Sequence, residues 1–548
     1  MDSYYTELLS RKISTAQEFE KWLFDRSEFE AFVFEDSAWR YIKMTINTLD
    51  ETAVKRYEEF VTLFEPVISE NTNKLNKKAY EVQEIIKLTS AQYDLFFRNL
   101  ANEINLFRAE NIPLNIEINK ETQRFSSIAG ALQITYENKT YTLPQAALFL
   151  KNNDSEIRKK VFELISKARH EKINDLNILF DNLISLRNNV AKNAGFSNFR
   201  DFKFKELGRL DYTVEDCYQL HKSIEENIIP LVKEFNLERK RLMKLESLKP
   251  WDLEAEIYGS TPLKPFTNGA DLSAKTVRVF EKLDPFFSEC IKTMEEMGHF
   301  DLESKKGKAP GGYNYPLYES GVPFIFMNAV GTQRDMVTMV HEGGHAVHSF
   351  LSRDLKLLAF KSLSSEIAEL ASMTMELITM DNWNVFYENE NDCKRAKKEQ
   401  LEKIISILPW IAIVDKFQHV IYENPVHTHE QRNTWWLEIS ERFSSKTVDY
   451  TGFEWAKEQG WQKQLHIFEV PFYYIEYAIA QLGAIAIWRN YKTNPSQTIQ
   501  QYKAALALGS SVSIPEVYKT AGIKFDMSPQ YVAELASFVK TEYDKLKI

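Results

Sequence analysis

His341-Glu342-Gly343-Gly344-His345 is an H-E-x-x-H sequence set inside a helical pattern. An α-helix turns about 100° per residue, so side chains four apart share one face. Two imidazoles at that spacing can take adjacent corners of a zinc tetrahedron, and a glutamate one residue after the first can reach a water held there. The chain has 10 histidines, and three of them, His341, His345 and His348, fall in this one short window. Such a motif also arises by chance, so the sequence around it has to carry the assignment.

Working outward, Thr332 is expected to cap the helix, with Asp335 three residues on as in a capping box. Met336, Val337, Met339 and Val340 give that helix a broad apolar surface, which predicts burial. Upstream, Val322-Pro-Phe-Ile-Phe-Met-Asn328 is β-prone, and Pro323 near its start suits an edge strand. A strand edge beside a metal helix can hold an extended peptide by β-addition. Gly311-Gly-Tyr-Asn-Tyr315 reads as a turn.

Catalytic zinc usually has three protein ligands and one open position. The stretch from Ser362 to Met380 reads as a second helix, capped by Ser364 or Ser365. Glu366, Glu369 and Glu376 lie near one line on it, at spacings of three and seven. Carboxylates buried on an apolar helix need a cation or hydrogen-bond partners. As solvated surface charges they would need neither, and that plainer reading fits Glu366 best.

The rest of the chain sets the class. Of 548 residues, 44% are hydrophobic and 27% charged, while 18 glycines and 17 prolines leave little material for β-turns. A mainly helical protein is expected. The net charge of −10 argues against nucleic acid as a partner. Cys217, Cys290 and Cys393 are odd in number and show no CxxC spacing, so a reducing, cytoplasmic setting is expected rather than a disulfide framework. Met1-Asp-Ser-Tyr-Tyr5 lacks the basic and apolar regions of a signal peptide. The longest mainly apolar run, Ile404 to Val414, contains Ser406 and Pro409 and is short of the roughly twenty residues a membrane span needs, so no membrane partner is expected. Amphipathic helices are expected over residues 1–110. A hairpin turning at Glu137-Asn138 follows, then helices from Leu143 to about Leu248 and a looser stretch from Pro250 to Asp271. His427 and His429 read as a surface loop rather than a second metal site.

His341-Glu-Gly-Gly-His345-Ala-Val-His348 together with Glu366-Ile-Ala-Glu369-Leu-Ala-Ser-Met-Thr-Met-Glu376 resembles the thimet oligopeptidase group of zinc metallopeptidases, most closely its bacterial oligoendopeptidase F branch. Gly311-Gly-Tyr313, Pro323-Phe-Ile-Phe-Met-Asn328 and His466-Ile-Phe-Glu-Val-Pro-Phe-Tyr473-Tyr474-Ile-Glu-Tyr477 extend the resemblance. It covers roughly three quarters of the chain and weakens before the hairpin; Gly343 departs from it, since several members carry a bulky residue there. Two adjacent helical glycines cost about 1 kcal/mol each relative to alanine, so they are expected to admit a close backbone or ligand contact.

The resemblance implies a two-lobed, mainly α, zincin-type peptidase with a small β-sheet beside the metal helix and a deep substrate channel. Residues 1–110 would form an N-terminal helical lobe and 111–548 the oligoendopeptidase-like region, with the catalytic zinc core at about 305–490. It implies one Zn2+ per chain on His341, His345 and Glu369, with Glu376 and His348 behind them and Glu342 as general base to a zinc-bound water. His466, Tyr474 and Tyr477 are expected to stabilise the oxyanion, and Gly312, Tyr313, Asn328 and Tyr473 to contact substrate. The expected activity is cleavage of internal bonds in short unfolded oligopeptides by a monomer. A zinc carboxypeptidase or dipeptidyl carboxypeptidase, and a catalytically silent peptide-binding protein, are the rivals. The first would need a fixed cation for the substrate carboxylate; the second would have no use for Glu342.

Overall fold

The computed structural model describes residues 1–258 and 262–547, so the looser stretch from Pro250 to Asp271 is described except for positions 259–261, which lie outside the described residues. The chain divides into two compact units. One comprises Met1–Phe107, Leu263–Ala396 and Ile479–Phe525; the other comprises Arg108–Pro262, Lys397–Ala478 and Asp526–Ile548. Both are built mainly of helices. Their short strands are β1 (Gln133–Tyr136) and β2 (Lys139–Thr142), which form a hairpin, and β3 (Phe300–Glu303), β4 (Tyr313–Tyr315) and β5 (Phe324–Ala329), which form one sheet.

In the first unit, the helix Ala16–Ile46 starts at Thr15, whose hydroxyl accepts from the Glu18 N–H while the Glu18 carboxylate accepts from the Thr15 N–H. It buries Phe19, Trp22 and Leu23 against Leu75, Ala79, Phe97 and Leu100, and against Leu357 and Phe360. Each such side chain stabilises the fold by about 1.5–3 kcal/mol. The first 107 residues therefore share a core with residues that follow the histidine motif closely.

The sheet order is β3-β5-β4, with β5 parallel to β3 and antiparallel to β4. This corrects the reading of Val322–Asn328 as an edge strand: β5 is the centre of its sheet. Phe324, Ile325, Phe326 and Met327 are all 3% exposed or less, as a strand covered on both faces requires. Pro323 precedes the first paired residue, so its missing N–H removes no ladder bond. The edges are β3 and β4, the latter in the stretch read as a turn.

The helix Gln333–Ser352 begins as expected, with the Asp335 N–H donating to Thr332 Oγ1 at 3.2 Å and the Thr332 N–H donating to Asp335 Oδ2 at 2.9 Å. The helix Ser365–Ile378 starts at Ser364, but the Ser364 hydroxyl makes no capping bond, contrary to expectation.

In the second unit, Glu137 and Asn138 have φ of 49° and 61°, and two left-handed residues make the turn type that matches strand twist. The three cysteines are buried. The helix Glu390–Glu423 runs through the apolar stretch around Pro409 and is long and apolar enough to cross a membrane by length and composition. Its apolar window is 72% buried inside the protein, as a core helix would be. His429 Nε2 sits 2.7 Å from Asp181 Oδ2, and His427 Nε2 accepts from Arg432 Nε at 3.0 Å, so both rings belong to an ion-pair network.

Candidate metal centre

Two helices of the first unit build the site. His341 and His345 project from Gln333–Ser352, one turn apart, and Glu369 projects from Ser365–Ile378. One ligand atom from each lies within 4.8 Å of the others. His341 Nε2 is 3.3 Å from Glu369 Oε2, and His345 Nε2 is 3.9 Å from the same oxygen. Both imidazoles thus turn Nε2 to one point.

The close approach of the helices follows from the glycine pair. A Cβ at Gly344 would stand 2.6 Å from Ser372 Cα and 3.0 Å from the Ala371 carbonyl oxygen, so only glycine lets the two main chains touch. A Cβ at Gly343 would stand 2.7 Å from the Phe280 ring, which occupies the space of the missing side chain. The expectation of a close contact holds on both sides of the helix.

A further set of groups fixes the donors. Glu376 Oε1 accepts from His341 Nδ1 at 2.7 Å, which leaves Nε2 as the outward lone pair. Ser372 donates to Glu369 Oε2 at 3.2 Å, and Asn314 Nδ2 on β4 donates to the Glu342 carbonyl at 3.2 Å. The sequence reading missed Ser372 and Asn314. Ser372 lies three residues after Glu369, where a helix would bring it back to the carboxylate.

Electrostatics follow from burial and neighbours. Burial pulls the His341 ring down, but the Glu369 and Glu376 carboxylates on either side outweigh it and hold it well above its ordinary value. Burial pushes Glu369 up, and the His341 hydrogen bond and charge overcome it, leaving the carboxylate below its ordinary range. Burial lowers His345 to about 4, against the pull of Glu369. It raises Glu342 to about 7, with the His341 charge opposing. Glu342 is 6% exposed and its Oε2 has no hydrogen-bond partner. A buried carboxyl in that condition points to a group the protein itself does not supply.

Other expected site residues fall in varied places. Glu366 is 2% exposed, so it is not a solvated surface charge. His348 is fully buried with neither ring nitrogen hydrogen-bonded, and burial holds it down to about 3. Tyr313 shares a 2.6 Å hydrogen bond with Thr45 and stacks on Phe326. Asn328 donates to the Ala309 and Gly311 carbonyls at 2.8 and 2.9 Å. The polar groups of Tyr313 and Asn328 thus hold the loop before β4 inside the fold. A Cβ at Gly312 would stand 3.3 Å from the Phe326 carbonyl oxygen, a close pass along the sheet.

The second unit gathers His466, Tyr473, Tyr474 and Tyr477 into one cluster. The His466 ring lies 4.6 Å from Tyr474, 5.9 Å from Tyr477 and 6.1 Å from Tyr473. All four are partly exposed, whereas Phe472 between them is fully buried with φ of 66°. Two buried arginines hold this segment by its main chain. Arg187 donates to the Ile467 and Phe468 carbonyls, and Arg209 to the Phe472 carbonyl and to Glu476 Oε1. Gln418 Oε1 accepts from the Phe472 N–H at 2.8 Å. The segment is therefore an anchored turn carrying partly exposed polar rings.

Two histidines one turn apart, a glutamate from the crossing helix and a buried carboxyl beside them form a donor set of the H-E-x-x-H class that could hold one metal ion. Comparison with known proteins narrows it. Residues 148–537 match the model of peptidase family M3, and residues 1–107 match that of the peptidase M3 N-terminal domain. The chain belongs to peptidase family M3. It is 24% identical over 385 residues to an oligoendopeptidase F homolog of Borreliella burgdorferi, covering 68% of this chain and 62% of that protein. A second oligoendopeptidase F homolog, from Mycoplasma genitalium, is 24% identical over 573 residues, covering 95% and 90%. The chain spans 62%, 58% and 52% of the lengths of the first three curated relatives. Among solved structures it is similar to PZ peptidase A with an inhibitor, at a TM-score of 0.90 and 25% identity, covering 99% of this chain and 96% of that one.

Proposed function

We propose that this chain is a zinc-dependent endopeptidase that hydrolyses internal bonds of short, unfolded oligopeptides. The observation that carries the reading is the three-donor cluster with the buried Glu342 carboxyl beside it, whose Oε2 has no hydrogen-bond partner. The donors fit a zinc ion: two imidazole nitrogens and one carboxylate, gathered from two helices. His341, His345 and Glu369 would hold the ion, with Glu376 and Ser372 orienting two of them. When bound, zinc supplies Lewis-acid chemistry, acidifying water and polarising a carbonyl.

The chain's own residues supply the proton steps. Glu342 takes the proton of the attacking water on a carboxylate oxygen and delivers it to the departing amine. A general base works best with a pKa near the operating pH; burial moves Glu342 that way, and a nearby divalent cation would draw it back down. His466 and Tyr474, with Tyr477 beside them, are the donors read as stabilising the oxyanion. With β5 central, β3 and β4 are the sheet edges, and β4, tied to the Glu342 carbonyl through Asn314, is the one read as pairing with an extended peptide. A cytoplasmic monomer is the proposed setting.

Internally quenched peptides blocked at both ends provide the test. Cleavage within them excludes both carboxypeptidase rivals, and no cleavage at full zinc occupancy sinks the enzyme reading. Glu342→Gln should keep stoichiometric zinc and lose turnover by at least about 10²-fold; loss of the metal instead would make Glu342 a ligand.

A further inference from the structure

His466 is held by a chain of donors and acceptors with only one consistent polarity. Trp410 Nε1 lies 2.8 Å from Gln464 Oε1, and Gln464 Nε2 lies 2.6 Å from His466 Nδ1. An indole nitrogen is a donor only, so the amide oxygen of Gln464 must face Trp410. The amide nitrogen of Gln464 then faces His466 and can only donate. Nδ1 must therefore accept, which leaves the proton of the neutral ring on Nε2. A charged imidazolium would set its Nδ1–H against the amide N–H, so the same contact disfavours protonation. Gln464 is 9% exposed, and Trp410 packs edge-on to the buried Trp436 with ring centroids 5.5 Å apart, which limits its freedom to turn.

We infer that Gln464, oriented by Trp410, is a positioning residue that fixes His466 as the Nε2–H tautomer, so that the ring offers a donor and not a lone pair at Nε2. The inference rests on the peptidase reading, in which His466 stabilises the oxyanion. A donor is what that task needs; with the proton on Nδ1, the ring would present a lone pair to a developing negative charge. The sequence alone could not show this, because Trp410 and Gln464 are 54 residues apart.

The test uses the zinc-loaded full chain labelled with 15N-histidine, with His466→Asn to assign the ring signals. His466 should show an unprotonated Nδ1 and a protonated Nε2 at neutral pH. Gln464→Glu, which offers Nδ1 an acceptor, should move the proton to Nδ1 or charge the ring. It should lower kcat on the order of 10²-fold while KM stays within about threefold, since the loss is of a transition-state donor. Trp410→Phe should give a mixed tautomer population and an intermediate kcat. A protonated Nδ1 on neutral His466 in the unsubstituted protein overturns the inference, and that measurement stands even where a variant fails to fold. An unchanged kcat in folded Gln464→Glu overturns it as well. The expected tautomer with no turnover on any peptide would instead sink the peptidase reading alone.

Discussion

Glu376 shows how much a single side chain behind the metal donors controls. Its carboxylate sits 2.7 Å from His341 Nδ1 and so selects which imidazole nitrogen faces the cluster. Removing the charge while keeping the shape isolates that role. Glu376→Gln should weaken zinc binding 10–100-fold, the usual cost of losing a partner behind a ligand, with little change in the folded structure. Competition with a chromophoric chelator measures it, and an affinity within twofold of the parent would deny Glu376 the role. His341 and His345 could be read from the sequence because helix periodicity puts them on one face, whereas the choice of Glu369 and Glu376 over Glu366 came from the family resemblance. Ser372 and Asn314 could not: a serine and an asparagine are common everywhere, and only their 3.2 Å bonds mark them.

Between elements, the decisive contact is the one at Gly344. A methyl group there would have to displace Ser372 Cα and the Ala371 carbonyl, which are main-chain atoms that cannot rotate away. Gly344→Ala should therefore destabilise the first unit by about 1–3 kcal/mol despite its better helix propensity. It should also separate the donors and lower zinc affinity. Thermal unfolding with a zinc titration checks both; an unchanged or raised Tm would mean the helices adjust freely. Helix starts were legible in the sequence where a side chain closes a local ring, as at Thr332 and Asp335. Sheet order was not. The central place of β5 depends on β3, a four-residue strand with no periodic signal, and on β4, three residues hidden behind a glycine pair. Pro323 favoured an edge on local grounds, yet it sits just outside the ladder and decides nothing.

On the scale of the whole chain, acid should unfold it through buried groups other than the metal donors. In the second unit Asp415 Oδ2 lies 2.9 Å from His221 Nε2 and 3.1 Å from His419 Nε2, with all three side chains buried. Burial works against the Asp415 charge, but both histidines outweigh it and hold the carboxyl well below its ordinary value. Burial likewise lowers His419, and in the first unit His348 falls to about 3. A depressed histidine stays neutral in the fold but takes a proton in the unfolded chain below about 6.5, so stability drains as pH falls through that value. The depressed Asp415 adds a second loss below its unfolded value of about 3.8. His348→Phe, which removes one buried base, should make Tm fall less between pH 7 and 5 than in the parent chain. The same pH dependence of Tm in both would exclude the mechanism. Composition and patterning foretold a mainly helical chain with a small sheet near the metal helix. The partition was not foretold, because three separated segments build each unit and no local signal marks which segments associate.

The glycine contact between the two helices also bears on how the ion comes and goes. Main chain meets main chain there, so the distance between donors is set by a hard stop and not by the ion's own pull. Three ligand atoms within 4.8 Å thus owe their spacing to packed backbone. A spacing fixed in that way resists an ion that needs longer or shorter donor distances. Exchange between zinc and another ion content with two nitrogens and a carboxylate then becomes a matter of supply in the surroundings, with the protein standing by unchanged.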